Sequence, residues 1–534
     1  MSGALRILRI VRSQANRIAL GLSLLCSGSC ICEAHAQLQT GPSHHTFFRV
    51  LLDSSFTEPV SGRLLLFIAP PAADASQVDI NMMSPTSVYV AAKEVARLVP
   101  GEPVDVDADD AAFPRPLSQA APGSYRVQAV LDVHHSYNYS GRAPGDLLST
   151  PASVDLPFSA SPTLTLSEVV PEPPDPLAQQ SDLIAALKPL DFVSPSLTHF
   201  WGREIHMLGW VLLPPGYENH PDEHYPTVYF THGFGGTLQG LRARFAPVLY
   251  DRMKQGKMPE MIWVLLDESS PTGTHEFADS VNNGPWGAAL TTELIPKIES
   301  EYRMDARPSG RFLQGHSSGG WATLWLQTRY PKIFGGTWST SPDPSDFRFF
   351  STIDLYAPHA NFYRAADGTP NPILRDHGQP RATMQQLAGL ESVLGECGGQ
   401  LGSFEWVFSP RGSDGRPMPL FNRVTGEIDP NVTAYWRSHF DIVEYLNSNW
   451  KTVGADLRGK VHLIVGTDDT FYLDGAAHSL ESALSRLGGE PHFAFMLGRS
   501  HFNVYQQGDD RWALFDKIAA EMYEVARPNL KEHD

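Results

Sequence analysis

Cysteine is nearly missing from this chain: 534 residues carry four, and three of them, Cys26, Cys30 and Cys32, fall close together near the N-terminus. That leaves Cys397 for the remainder, which excludes a disulfide framework and a cysteine-built zinc site. The body must be held by its apolar cores. Positive charge is also short, with 41 Lys and Arg against 59 Asp and Glu and a formal net charge of −18. Nucleic acid and anionic membrane surfaces both need a basic face, so neither is an expected partner. Long apolar runs are absent beyond the first residues, so no membrane span is expected once the N-terminal segment is removed.

What is present begins with an export signal, expected over residues 1–36. Arg6, Arg9, Arg12 and Arg17 form a basic stretch, Ile18 to Leu25 open an apolar run, and Ala34-His35-Ala36 supplies small–x–small cleavage chemistry. The apolar run is shorter than the ~20 residues of a spanning helix. A mature start at Gln37 and a periplasmic or extracellular location follow as expectations.

From residue 37 to 166 short alternating apolar runs such as Gly62 to Ile68 and Ser124 to Leu131 are broken by Pro and Gly, which predicts an antiparallel β-sandwich. Residues 167–190 include Val169-Val170-Pro171-Glu172-Pro173-Pro174-Asp175-Pro176 and predict a stiff linker. Beyond it, from 191 to 534, fully apolar runs (Pro226 to Phe230, Met261 to Leu266, Val461 to Val465) alternate with helical stretches. That texture predicts an α/β class fold, a mostly parallel, doubly wound sheet covered on both faces. Between about 343 and 456 the alternation lapses into a stretch rich in Pro, Gly and aromatics, read as an insertion capping the active site.

The chemistry centres on Phe312-Leu313-Gln314-Gly315-His316-Ser317-Ser318-Gly319-Gly320. Gly-x-Ser-x-Gly between a strand and a helix is a nucleophile elbow, a turn so tight that flanking side chains would collide. Serine is a poor nucleophile by itself and needs a base, an acid and an oxyanion hole. Downstream, Gly466-Thr467-Asp468-Asp469 closes a buried strand, and Gly498-Arg499-Ser500-His501 follows the next one. The order Ser, acid, His is that of α/β-hydrolases. Upstream, His232-Gly233-Phe234-Gly235-Gly236 ends a strand, and the N–H of Phe234 with that of Ser318 would receive the oxyanion. Asp343, after the strand Phe334 to Ser339, is an alternative acid, or lines the pocket beside Asp346.

These residues, with Gly209-Trp210-Val211-Leu212-Leu213-Pro214-Pro215-Gly216-Tyr217 and Thr292-Glu293-Leu294-Ile295-Pro296, resemble the Putative esterase family of α/β-hydrolases from about Phe192 onward. That family includes siderophore, feruloyl and acetyl-xylan esterases, S-formylglutathione hydrolase and mycolyltransferases. The resemblance implies an acyl-transfer enzyme without metal or other cofactor, with a triad of Ser317, Asp469 and His501. Asp469 is preferred to Asp468 because the family's Gly-x-x-Asp turn puts the acid three residues after the glycine. The long insertion and the leading β region depart from small family members, so the ester stays open, small-molecule or glycan-linked, as does oligomeric state.

Other features carry less. Asp105-Val106-Asp107-Ala108-Asp109-Asp110 lacks the Gly and Glu of an EF-hand and reads as an acidic turn. The pairs His44-His45 and His134-His135 have no further ligands at metal spacing, and Asp474 starts a helix. Phe404, Trp406, Phe408, Phe421, Tyr435 and Trp436 suit either a stacking surface or the insertion's own core. Two other functions fit parts of the pattern: an acyltransferase using the same triad, and an inert glycan- or partner-binding protein.

Overall fold

In the N-terminal region nine short strands hydrogen-bond into one sheet, beginning with Phe47–Leu52 and Val60–Ala69 and ending with Thr163–Val169. The computed structural model of the chain describes residues 45–71, 77–137, 141–395 and 398–528, so the expected export signal and Cys397 lie outside the described residues. Pairing is antiparallel except where Phe47–Leu52 meets Thr163–Val169 in parallel. Alternation explains the sequence of the Val60–Ala69 strand. Leu64, Leu66 and Ile68 face a core shared with Phe48 and Val50, while Leu65 and Phe67 face the opposite side. There they meet Leu390, Val393 and Leu394 of the helix Met384–Leu394, so both faces are covered and the run is apolar throughout.

The Pro-rich connector is seated on the body. Leu177 is fully buried, and Asp175 accepts a forked pair from Arg242 at 2.5 and 2.9 Å. Part of the stretch expected as linker is already strand: Leu187–Val193 pairs antiparallel with His206–Leu212. It is an edge strand, where Pro189 costs no ladder bond toward a second neighbour.

The second sheet has eight strands in the spatial order Leu187–Val193, His206–Leu212, Ile262–Leu266, Thr227–Thr231, Arg311–His316, Gly336–Thr340, Val461–Gly466, His492–Met496. The first two are antiparallel to their neighbours and the rest run parallel. The Thr227–Thr231, Ile262–Leu266 and Gly336–Thr340 strands are buried at every position, because helices cover both faces. Ala246–Lys254 and Ala513–Ala526 pack one side through Leu249, Met253, Phe515 and Ile518. Ser318–Arg329 and Asp474–Leu487 pack the other, through Trp321, Leu324, Leu480 and Leu484. This is the doubly wound α/β-hydrolase architecture.

The stretch between 343 and 456 is more regular than its composition predicts. It holds a hairpin, Pro372–Asp376 with Gln379–Thr383, and helices Met384–Leu394, Gln400–Phe408, Pro430–His439 and Ile442–Leu457. Its periodicity is hidden because the aromatics pack on one another: Phe404, Phe408, Phe421 and Trp436 are all buried in one cluster with Trp321 of the elbow helix. They are core, and Tyr435 packs half-buried against them. No helix among the described residues is long and apolar enough to cross a membrane.

Candidate active site

Ser317 stands between the strand Arg311–His316 and the helix Ser318–Arg329 with φ 60° and ψ −125°. A non-glycine residue at positive φ is strained and needs its surroundings to hold it. Ser317 N–H donates to Thr340 O at 3.0 Å, Ser317 O accepts from Trp321 N at 3.0 Å and from Asp343 N at 3.2 Å. The turn also passes hard against the neighbouring strand: a Cβ on Gly319 would fall 2.4 Å from the carbonyl oxygens of both Thr231 and His232. That close approach, and not local flexibility, is what the second glycine of the motif serves.

The acid turn and the histidine loop are laced together. At Gly466 a Cβ would sit 1.9 Å from Arg499 O, so glycine lets the loop lie directly on the strand end. Asp468 N–H donates to Arg499 O at 3.0 Å, Thr467 N–H to Met496 O at 3.0 Å, and Gly498 N–H to Thr467 Oγ1 at 2.9 Å. The result is that His501 Nδ1 lies 2.9 Å from Asp469 Oδ2, with side chains 4% and 0% exposed. The other oxygen of Asp469 accepts from Phe471 N at 2.9 Å and Leu473 N at 3.4 Å. Burial alone would raise this carboxyl, but His501 and those two N–H groups hold it below the usual carboxylate range.

The neighbouring acids are engaged elsewhere. Asp468 accepts from Gly378 N at 3.0 Å and faces Arg375, and Asp474 takes Arg375 at 2.8 Å at the start of its helix. Asp343 accepts from Ser318 Oγ at 2.6 Å, and burial raises it to about 6. Asp346 accepts from Ser479 Oγ and Arg348. Of the outlying features, the acidic turn binds its own surroundings: Asp109 accepts from the backbone of Thr46 and Ser118 at 2.5 and 2.6 Å. His45 pairs with Asp107, and His135 with Glu94.

Ser317, His501 and the turn Gly233–Gly236, Phe234 included, line one cavity of about 530 Å³. Ser318 opens the elbow helix, so its N–H has no intrahelical partner. Among the described residues no hydrogen bond joins the Ser317 hydroxyl to His501. In unliganded sites such contacts are often long and tighten when substrate is bound.

Several contributors have no signal in the sequence. His316, in the variable place of the elbow motif, lies with its ring centroid 4.5 Å from that of His501, and burial lowers it to about 3, so it stays neutral. Phe471 and Phe502 set their rings edge-on to His501, at 4.8 and 5.3 Å. His232 braces the glycine turn, its Nδ1 2.8 Å from Gly233 O and its Nε2 2.9 Å from Asp267 Oδ1. Glu268 and Glu276 are fully buried, and among the described residues neither carboxyl oxygen of Glu268 has a hydrogen-bond partner. Burial, with Asp343 adding to it, pushes both well above the ordinary carboxylate range. Met82, Met83 and Pro85 of the N-terminal region reach the same cavity as Ser317.

A serine on a strained strand-to-helix turn, in the middle of a mostly parallel sheet, defines the α/β-hydrolase class. Within it, the Putative esterase family model matches residues 201–522, well over half of the chain, and the chain belongs to that family. Among curated relatives, Esterase Rv1288 of Mycobacterium tuberculosis is 30% identical over 157 residues, 28% of this chain and 33% of that protein. The Bacillus subtilis protein YbbA is 27% identical over 143 residues, 24% of this chain and 54% of that protein. The chain therefore spans about a third and about half of their lengths. Among solved structures, it is similar to a ferulic acid esterase (17% identity, TM-score 0.38, 64% of this chain and 97% of that one). It is also similar to an S-formylglutathione hydrolase from Agrobacterium tumefaciens (13%, TM-score 0.36, 64% and 94%).

Proposed function

We propose that this protein is a serine esterase that cleaves carboxylic esters through an acyl-enzyme on Ser317. The observation that carries the reading is the His501–Asp469 bond of 2.9 Å, buried at the cavity that Ser317 also lines. Ser317 Oγ attacks the ester carbonyl while His501 Nε2 takes its proton. Asp469, bonded to Nδ1, holds the ring in the required tautomer and stabilises the imidazolium. The N–H groups of Phe234 and Ser318 receive the oxyanion. Collapse of the tetrahedral species breaks the bond to the alcohol, which leaves with the proton from His501. Water then gives a proton to His501 as it attacks the acyl-enzyme, and the second tetrahedral species collapses to the acid while His501 returns the proton to Ser317 Oγ.

In this reading residues 1–36 are an export signal and the mature enzyme works in the periplasm or outside the cell. The β-rich unit ends with the strand Thr163–Val169 and the catalytic unit begins with the strand Leu187–Val193, with the Pro-rich connector between them. Labelling with a fluorophosphonate and mapping the modified peptide tests the mechanism: the adduct is expected on Ser317 and absent from Ser317→Ala. An adduct elsewhere, or full ester turnover by Ser317→Ala, refutes it. N-terminal sequencing of exported protein is expected to begin at Gln37.

A further inference from the structure

The cavity at Ser317 is lined by three parts of the chain that are far apart in sequence. One wall is the reacting groups and the Gly233–Gly236 turn. The second comes from the insertion, with Ile373 and Leu374 of the hairpin and Leu387 and Leu390 of the helix Met384–Leu394. The third is Met82, Met83 and Pro85, from the N-terminal region. Its volume of about 530 Å³ is within the range that encloses a substantial organic group.

The chemistry of the lining is one-sided. Among the described residues lining it there is no Lys, Arg, Asp or Glu, and apart from Ser317, His501 and His316 the only polar side chains are Thr470 and Gln400. A sugar ring or an anionic chelator buried here would leave most of its hydroxyls or charges unpaired, at a cost no surrounding group repays. Aliphatic chains lose nothing by entering, and the Met and Leu side chains adapt to them.

The N-terminal wall is firmly placed. Met82 packs against the clusters on both sides of the helix Met384–Leu394, and Pro85 is buried. Arg63 of the N-terminal sheet donates to Val393 O at that helix's end at 3.1 and 2.6 Å. Leu390, Val393 and Leu394 join the sheet's core. The helix is thus shared between sheet and pocket.

Resting on the esterase reading above, we propose that the cavity holds an aliphatic acyl chain and that Met82, Met83 and Pro85 form the wall that sets its length. The acyl half is the half that must stay while alcohol leaves and water enters, so it is the half an enclosing apolar wall serves. The N-terminal region is then part of the specificity pocket.

The test is kcat/KM of the full-length enzyme for p-nitrophenyl esters from acetyl to dodecanoyl, with active sites counted by fluorophosphonate labelling. Each methylene buried at about 0.8 kcal/mol gives about fourfold, so a rise of roughly 200-fold over the four methylenes from acetyl to hexanoyl is expected before the wall is met. Met83, 39% exposed at the rim, tolerates change. Met83→Trp is expected to move the optimum to a shorter chain, and Met83→Asp to lower the hexanoyl-to-acetyl ratio at least tenfold. A flat profile, an acetyl optimum, a preference for feruloyl or sugar esters, or a length preference seen only in the alcohol half overturns the proposal. If labelling of Ser317 itself fails, it is the esterase reading that falls.

Discussion

Replacing Asp469 by Asn tests the site at its most buried contact. The carboxylate serves two masters: Oδ2 faces His501 Nδ1 at 2.9 Å, and the other oxygen accepts from Phe471 N and Leu473 N. An amide cannot satisfy both. If its oxygen keeps the two backbone N–H groups, its NH₂ points at His501 Nδ1, forcing the ring's proton onto Nε2. The nitrogen that should take the Ser317 proton is then already protonated. If the amide turns over, its NH₂ opposes two N–H donors in a site that is 0% exposed. The first arrangement is the cheaper, so the variant folds with the wrong tautomer. The expected loss is ~10⁴ in kcat, about 5.5 kcal/mol of barrier. Asp343→Asn is the control. Its carboxylate accepts from Ser318 Oγ, a bond an amide oxygen reproduces, so its activity is expected within about tenfold of the parent. Both are read as kcat/KM on the best ester, with thermal melts to establish folding. A crippled Asp343→Asn beside a mild Asp469→Asn would refute the reasoning.

The same pair makes opposite predictions for stability against pH. Asp343 is raised to about 6 from 3.8, so the native state holds its proton more tightly, and the stability it contributes below pH 4 is lost as pH rises to about 6. Asp343→Asn is therefore expected to melt higher than the parent at pH 7–8 and not at pH 4, by up to about 3 kcal/mol before any loss at the Ser318 bond. Asp469 is lowered, so its contribution is present above the usual carboxylate range and is lost as pH falls through its folded value. Asp469→Asn is expected to lose its stability deficit on acidification, checked by melts from pH 7 to 3. Gly319→Ala drives a Cβ to 2.4 Å from two backbone carbonyl oxygens, so a cost at or above the 1–3 kcal/mol of core overpacking and loss of ester turnover are expected together; an active variant with the parent's melting temperature would contradict this. In the proposed mechanism every step runs on Ser317, His501 and Asp469, so dialysis against a chelator is expected to leave turnover unchanged, and a loss restored by a divalent ion would contradict it.

Much was readable from residue order because the chemistry is local at three points. An elbow needs glycines within two residues of its serine, an acid needs a strand end, and a base needs the loop after the next strand. Strands buried on both faces announce themselves as unbroken apolar runs, so Thr227–Thr231, Ile262–Leu266 and Val461–Gly466 stood out. The choice among Asp343, Asp468 and Asp469 needed more. The residues allowed each, family likeness favoured Asp469, and the hydrogen bonds separate them because Gly466 lets the Arg499 carbonyl reach the strand end.

Tertiary structure alone decided the rest. The aromatics of the insertion read equally as surface or core; Phe404, Phe408, Phe421 and Trp436 are core because they share one cluster with Trp321 of the elbow helix, while Trp406 is half-buried outside it. The buried acids Glu268 and Glu276 look like ordinary surface charges until the fold closes over them. Met82, Met83 and Pro85 precede Ser317 by more than 230 residues, and no periodicity or spacing links them. Only the packing of the helix Met384–Leu394 between sheet and cavity brings them to the nucleophile. Residue order marks the candidate reacting groups because each sits at a turn with its own local pattern; the pocket is set by contacts between distant segments, which exist only once the chain has folded.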